Sequence, residues 1–146
     1  MNKEMGKHVK HFILVFWAFI GPTLSIMAQT KNIPDSAQYS ALLMFQSVCC
    51  GVPDQEPLDK SIRAFIKKEK LASVRAWKIG PMGREGEYYL VFDLRKWPDS
   101  RRNAFINILR NVSDQLKDPG HVSFEENYMI QKVDLPGRAT MEPISW

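Results

Sequence analysis

Catalytic signatures are missing from this chain, and the residues that most often carry chemistry are scarce. Only two cysteines and three histidines occur among 146 residues. There is no Gly-x-Ser-x-Gly elbow and no His-Glu-x-x-His, so neither an α/β-hydrolase nucleophile nor a zincin site is signalled. Glu125 and Glu126 are adjacent; on a strand they point apart and do not make an acid/base pair. No internal repeat is visible beyond two strand–helix halves.

Long apolar runs are also lacking. The most hydrophobic stretch, Phe12 to Ala28, is interrupted by Gly21, Pro22, Thr23 and Ser25, whereas a spanning helix needs about 20 mostly apolar residues. What this stretch does resemble is an export signal. Lys3, Lys7 and Lys10, with His8 and His11, lead into Phe12–Ile20. Gly21-Pro22 then breaks the run, and Ser25-Ile-Met-Ala28 offers a cleavage site. The sequence therefore predicts a cleavable signal peptide over 1–28 and a periplasmic or secreted product with no membrane span after cleavage. No cysteine follows the apolar run closely enough to carry a lipid.

Residues 29–146 suffice for one compact domain and not two. About half of the formal +4 charge leaves with the leader, which removes the electrostatic case for nucleic-acid binding. His8 and His11 leave as well, so His121 remains alone and a multi-histidine metal site within one chain is excluded.

The polar stretch 29–39 is expected to be a flexible lead-in. Ala41–Val48 reads as a buried first strand, ended by Cys49-Cys50-Gly51-Val52-Pro53. Asp54 and Pro57 open a helix whose stripe is Leu58, Ile62, Phe65 and Ile66. Strands follow over 73–79 and 87–95. The glycine-rich segment Gly80–Gly86 between them leads into a strand rather than a helix, so it reads as a hairpin turn and not a phosphate cradle. Pro98 and Asp99 open a second helix with a stripe of Phe105, Ile108, Leu109, Val112 and Leu116. A fourth strand should present Val122, Phe124, Tyr128 and Ile130 on one face, leaving 132–146 as an aperiodic tail.

The order β-α-β-β-α-β resembles the ferredoxin-like sandwich: an α+β domain over 40–131, with a four-stranded antiparallel sheet and two helices on one face. The resemblance is to a fold and carries no family motif, and the fold alone assigns no function.

Two places invite a functional reading. If Tyr88, Leu90, Phe92 and Leu94 face the helices, then Tyr89, Val91, Asp93 and Arg95 face outward, joined by Arg75, Trp77 and Ile79. Such a platform is too apolar to sit bare in water. It is expected to bind a protein partner, to form a homodimer, or to be covered by the tail. The other place is Cys49-Cys50. Small metal-carrying domains of this fold hold Cys-x-x-Cys in the same loop; this pair is similar in location and departs in spacing. Inert thiols, a vicinal or intermolecular disulfide, and a Cu(I) or Zn site completed by Met44, Met82, Met129 or His121 all remain open. A Cys–His dyad with His121 lacks a third orienting group.

The sequence thus predicts a small exported, non-catalytic binding domain without a resident cofactor. Trp77, Tyr89, Arg75 and Arg95 are its candidate face. The alternative is a thiol site for redox exchange or soft-metal binding at Cys49, Cys50 and His121.

Overall fold

The computed structural model describes residues 32–146, so the signal peptide expected over 1–28 lies outside the described residues. Five strands and two helices form an α+β domain. They are β1 (Ser36–Ser47), α1 (Glu56–Glu69), β2 (Arg75–Gly80), β3 (Tyr88–Phe92), α2 (Asp99–Gln115), β4 (Gly120–Gln131) and β5 (Thr140–Ser145), with a 3-10 turn at Lys132–Asp134. The strands make one antiparallel sheet in the order β4-β1-β3-β2-β5. The expected count of four strands is corrected to five.

The extra strand comes from the tail. Thr140–Ser145 pairs with β2 from Gly80↔Thr140 to Arg75↔Ser145. It escaped prediction because Met141 and Ile144 point to opposite faces and Pro143 sits between them, a residue that sheets admit at their edges. The lead-in is corrected too. β1 starts at Ser36, and Ile33 is buried at 8% exposure, so 36–39 belong to the sheet and Ile33 packs on it.

Both helices lie against one face of the sheet. Leu58, Ile62 and Phe65 of α1 meet Phe105, Ile106, Leu109 and Val112 of α2 above Ala41, Leu43, Phe45, Leu90 and Phe92. Burying each of the Leu, Ile, Val and Phe side chains contributes about 1.5–3 kcal/mol. Phe105 sits at the centre, tilted against Phe65 at 5.1 Å and edge-on to Phe92 at 5.5 Å. Trp146 docks on the same core. Its ring stacks on Phe92 at 6.0 Å and its indole N–H donates to Asp59 Oδ1 at 2.7 Å.

β1 and β4 carry a shared inversion. Ala37 and Tyr39 belong to the outer face, whereas Ala41, Leu43 and Phe45 face the helices. Across the ladder Val122 and Phe124 face the helices and Ile130 lies on the outer side. The expected single face Val122–Phe124–Tyr128–Ile130 is therefore wrong. The inversion falls at Ser40 and Asn127, between the pairs Tyr39↔Tyr128 and Ala41↔Glu126. Asn127 has φ 53°, a left-handed conformation that asparagine tolerates better than most residues. Because both strands turn over together, the register on either side is unchanged.

Candidate functional site

The outer face carries the residues that alternation assigns to it. Trp77 and Ile79 on β2, and Tyr89 and Val91 on β3, form a second apolar cluster with Leu42, Tyr39, Ile130 and Met141. Arg75 stands at the start of β2, opposite Ser145. Arg95 follows β3 and is exposed.

That face is not bare. Its middle is roofed by Ile33, Leu135 and Ala139, and beneath them Leu42, Ile79 and Val91 have no exposed surface. Arg138 ties the roofing segment to the hairpin loop by donating to the Gly83 carbonyl. Tyr39 donates its hydroxyl hydrogen to Met141 Sδ at 4.0 Å under the same cover. Burial raises the Tyr39 pKa, and the nearby Asp93 carboxylate adds to the rise.

The roof leaves two clefts, one at each end. At one end, Trp77 is half-buried beside Arg75, Asp93, Lys96, Pro143 and Ile144 around a cavity of about 320 Å³. Arg95 does not bring a free charge to this end. It forks onto Asp93, Nε to Oδ1 at 2.8 Å and Nη2 to Oδ2 at 2.6 Å. These hydrogen bonds from Arg95 hold the Asp93 carboxyl below its ordinary pKa, against a smaller effect of burial. Arg75 and Lys96 make no ion pair among the described residues. The Trp77 end is therefore net cationic around an aromatic wall.

At the other end Tyr89 shares a cavity of about 370 Å³ with Gln46, Ser47, Met82, Gly83, Glu87, Asp134 and Pro136. Burial raises the Tyr89 pKa, with Tyr128 contributing. Two carboxylates and no cation line this end, so its character is the opposite. Trp77 and Tyr89, expected to form one platform, are divided between two sites of opposite charge.

The sequence pointed to Trp77, Tyr89, Arg75 and Arg95, and missed Lys96 and Pro143 as neighbours of Trp77. Lys96 was not legible from alternation, since it lies four residues past the end of β3 at Phe92 and at an even position. Nor was Pro143, because only the β2–β5 pairing Trp77↔Pro143 places it there.

Cys49 and Cys50 are exposed free thiols at the turn after β1, with Sγ atoms 2.8 Å apart. His121 is exposed on β4 opposite Gln46. Among the described residues, no three His, Cys, Asp or Glu side chains come together as metal ligands. The soft-metal site of Cys49, Cys50 and His121 is thus not assembled. Two sulfurs on one tetrahedral zinc stand about 3.8 Å apart from Zn–S distances of about 2.3 Å, farther than these two. The Gly80–Gly86 loop does join an antiparallel pair, with Ile79 opposite Tyr89. No helix among the described residues is long and apolar enough to cross a membrane. No protein-family model matches the chain, and neither does any curated protein or solved structure.

Proposed function

We propose that this chain is an exported, non-catalytic binding domain, built on a ferredoxin-like unit with β5 appended, whose Trp77 cleft takes an acidic segment of a protein partner. The order β4-β1-β3-β2 and the placement of both helices on one face support the ferredoxin-like unit. The basic start, apolar run and Ser25-Ile-Met-Ala28 site support export to the periplasm or medium.

The observation that carries the binding reading is the company Trp77 keeps. A half-buried indole lies in one cleft with two cations, Arg75 and Lys96, neither of which forms an ion pair among the described residues, although Lys96 feels the Asp93 carboxylate. Trp and Arg are the residues that anchor partners most strongly when a second surface excludes water from them. An acidic segment would supply charge complementary to Arg75 and Lys96 beside the indole.

Fluorescence anisotropy with labelled acidic and basic peptides of equal length and apolar content tests this. The acidic peptide is expected to bind, and to bind more weakly as salt screens the cleft. Arg75→Glu and Trp77→Ala should each weaken it roughly tenfold or more with an unchanged circular dichroism spectrum. Equal binding of both peptides would remove the charge-based reading. Concentration-dependent self-association without peptide binding would reassign the face to a second copy of this chain.

A further inference from the structure

Neither Cys49 nor Cys50 lines the Trp77 cleft or the Tyr89 cleft, and peptide binding makes no use of them. Their placement is nonetheless fixed from several sides. The Gly51 N–H donates to Ser47 Oγ at 3.3 Å, closing a turn with the two cysteines at its apex. Gly51 has φ 106° with open space around it, a conformation that glycine adopts without the penalty other residues incur. The far side of the turn rests on β4. A Cβ on Gly120 would stand 3.2 Å from the Gly51 carbonyl oxygen and 2.0 Å from that of Gln46, so the backbones there are in close contact.

This turn overcomes the usual objection to a vicinal pair. On a regular strand, neighbouring side chains point to opposite faces and their sulfurs diverge. Here both sulfurs project the same way, 2.8 Å apart and exposed to solvent. The separation is well inside ordinary non-bonded sulfur contact and close to covalent reach, about 2.05 Å. Among the described residues no third His, Cys, Asp or Glu side chain converges on them.

We propose that Cys49 and Cys50 close reversibly into a vicinal disulfide and exchange it with the dithiols and disulfides of other proteins. In the oxidising direction, the thiolate of one cysteine attacks a partner disulfide. A mixed disulfide forms and the first partner sulfur leaves as a thiolate. The neighbouring cysteine, as its thiolate, then attacks the sulfur of the first; the ring closes and the second partner sulfur departs. Two electrons pass from the cysteine pair to the partner, and the two thiol protons end on the partner's sulfurs.

The reverse reaction is favoured by ring geometry. Adjacent Cα atoms across a trans peptide are about 3.8 Å apart, whereas disulfides usually span about 4.4–6.8 Å. The closed pair is strained, and strained disulfides are the more readily reduced. An exposed pair at a turn apex is also open to a protein partner.

The test uses the purified chain, equilibrated across glutathione redox ratios, quenched with N-ethylmaleimide and weighed intact. At oxidising ratios a monomer about 2 Da lighter than the reduced chain, carrying no maleimide, is expected. Mild reductant should restore a species that takes two maleimides. Cys49→Ser and Cys50→Ser should each abolish the 2 Da loss (about two hydrogens) and leave one labelled or glutathionylated thiol. The exposed turn makes both variants compatible with folding, which circular dichroism checks. Two glutathione adducts per chain, a disulfide-linked dimer, or two labelled thiols at every ratio would each overturn the proposal.

Discussion

The hydroxyl oxygen of Ser40 accepts the backbone N–H of Leu94 at 2.9 Å, inside the protein. The bond joins the residue at which β1 turns over to the segment just past β3. Leu94 is 1% exposed and Ser40 is 6% exposed, so water does not replace a lost partner at this point.

Ser40→Ala should therefore cost more than the small change in volume suggests. It strands a buried N–H, a loss of about 1–3 kcal/mol. Ser40→Thr keeps the oxygen and adds a methyl group, and should recover part of the deficit where that methyl fits. Urea unfolding midpoints of the two variants and the wild type measure this. Equal midpoints for Ser40→Ala and wild type would show that the bond contributes nothing net.

Alkaline stability should be governed by buried phenols. Tyr88 lies against the helix side, its hydroxyl donating to Gln55 Oε1 at 2.8 Å, and burial pushes its pKa up, with Asp59 and Asp54 adding to the rise. The folded state thus favours the neutral phenol. The stability this provides is full below the unfolded value near pH 10.0 and is lost as pH rises toward the raised folded value. Wild-type unfolding midpoints should fall steeply above about pH 10. Tyr88→Phe should flatten that fall while costing roughly 1 kcal/mol at neutral pH through the lost hydrogen bond. Parallel pH profiles for the two proteins would contradict the assignment.

Gly120→Ala should disturb both β1 and the cysteine turn. The new Cβ would overlap the Gln46 carbonyl oxygen, a backbone atom that no rotamer change can move. The expected outcome is a loss of several kcal/mol or a displaced β1–β4 end, since steric conflict with main chain is among the mechanisms behind large destabilisation. Hydrogen exchange at Ser47 and Gly120 reports the displacement directly. A wild-type exchange pattern would show that the strands part there without cost.

Thiol reactivity should respond to residues outside the turn. The Cys49 pKa is raised first by its contact with Cys50, with Asp118 and Glu85 contributing through their negative charge. Removing those charges should increase the thiolate fraction at a given pH. Alkylation of Cys49 in Cys50→Ser carrying Glu85→Gln and Asp118→Asn should run faster near pH 8 than with both acids present. Unchanged rates would mean that solvent screens the two carboxylates fully.

Much of the sheet was legible because period and burial agree at its centre. Tyr89, Val91, Trp77 and Ile79 alternate cleanly against Tyr88, Leu90 and Ala76, and both helices display their stripes. Legibility fails where a local event resets the period. Ser40 and Asn127 turn β1 and β4 over, so Tyr39 and Ile130 lie on faces that alternation from Leu43 and Phe124 does not reach. β5 was hidden for a different reason. It has one inward residue on each side, and its pairing partner lies some 60 positions earlier, as Thr140↔Gly80 shows. The candidate face was readable as a set of residues, but its division was not. Where the 132–139 segment crosses the sheet depends on tertiary packing, and that crossing brings Asp134 and Pro136 to the Tyr89 end.

β5 also decides what the sheet offers at its two borders. One border is now β5 itself, where Pro143 has no N–H to give and Glu142 is charged and exposed. The other is β4, where Glu125 and Glu126 stand exposed beside the left-handed Asn127. Neither border presents the straight, neutral row of donors and acceptors that invites a further strand. Among the described residues, both borders thus carry features that disfavour a further strand. Side chains and turn tips are therefore the more accessible routes by which a partner meets the described domain.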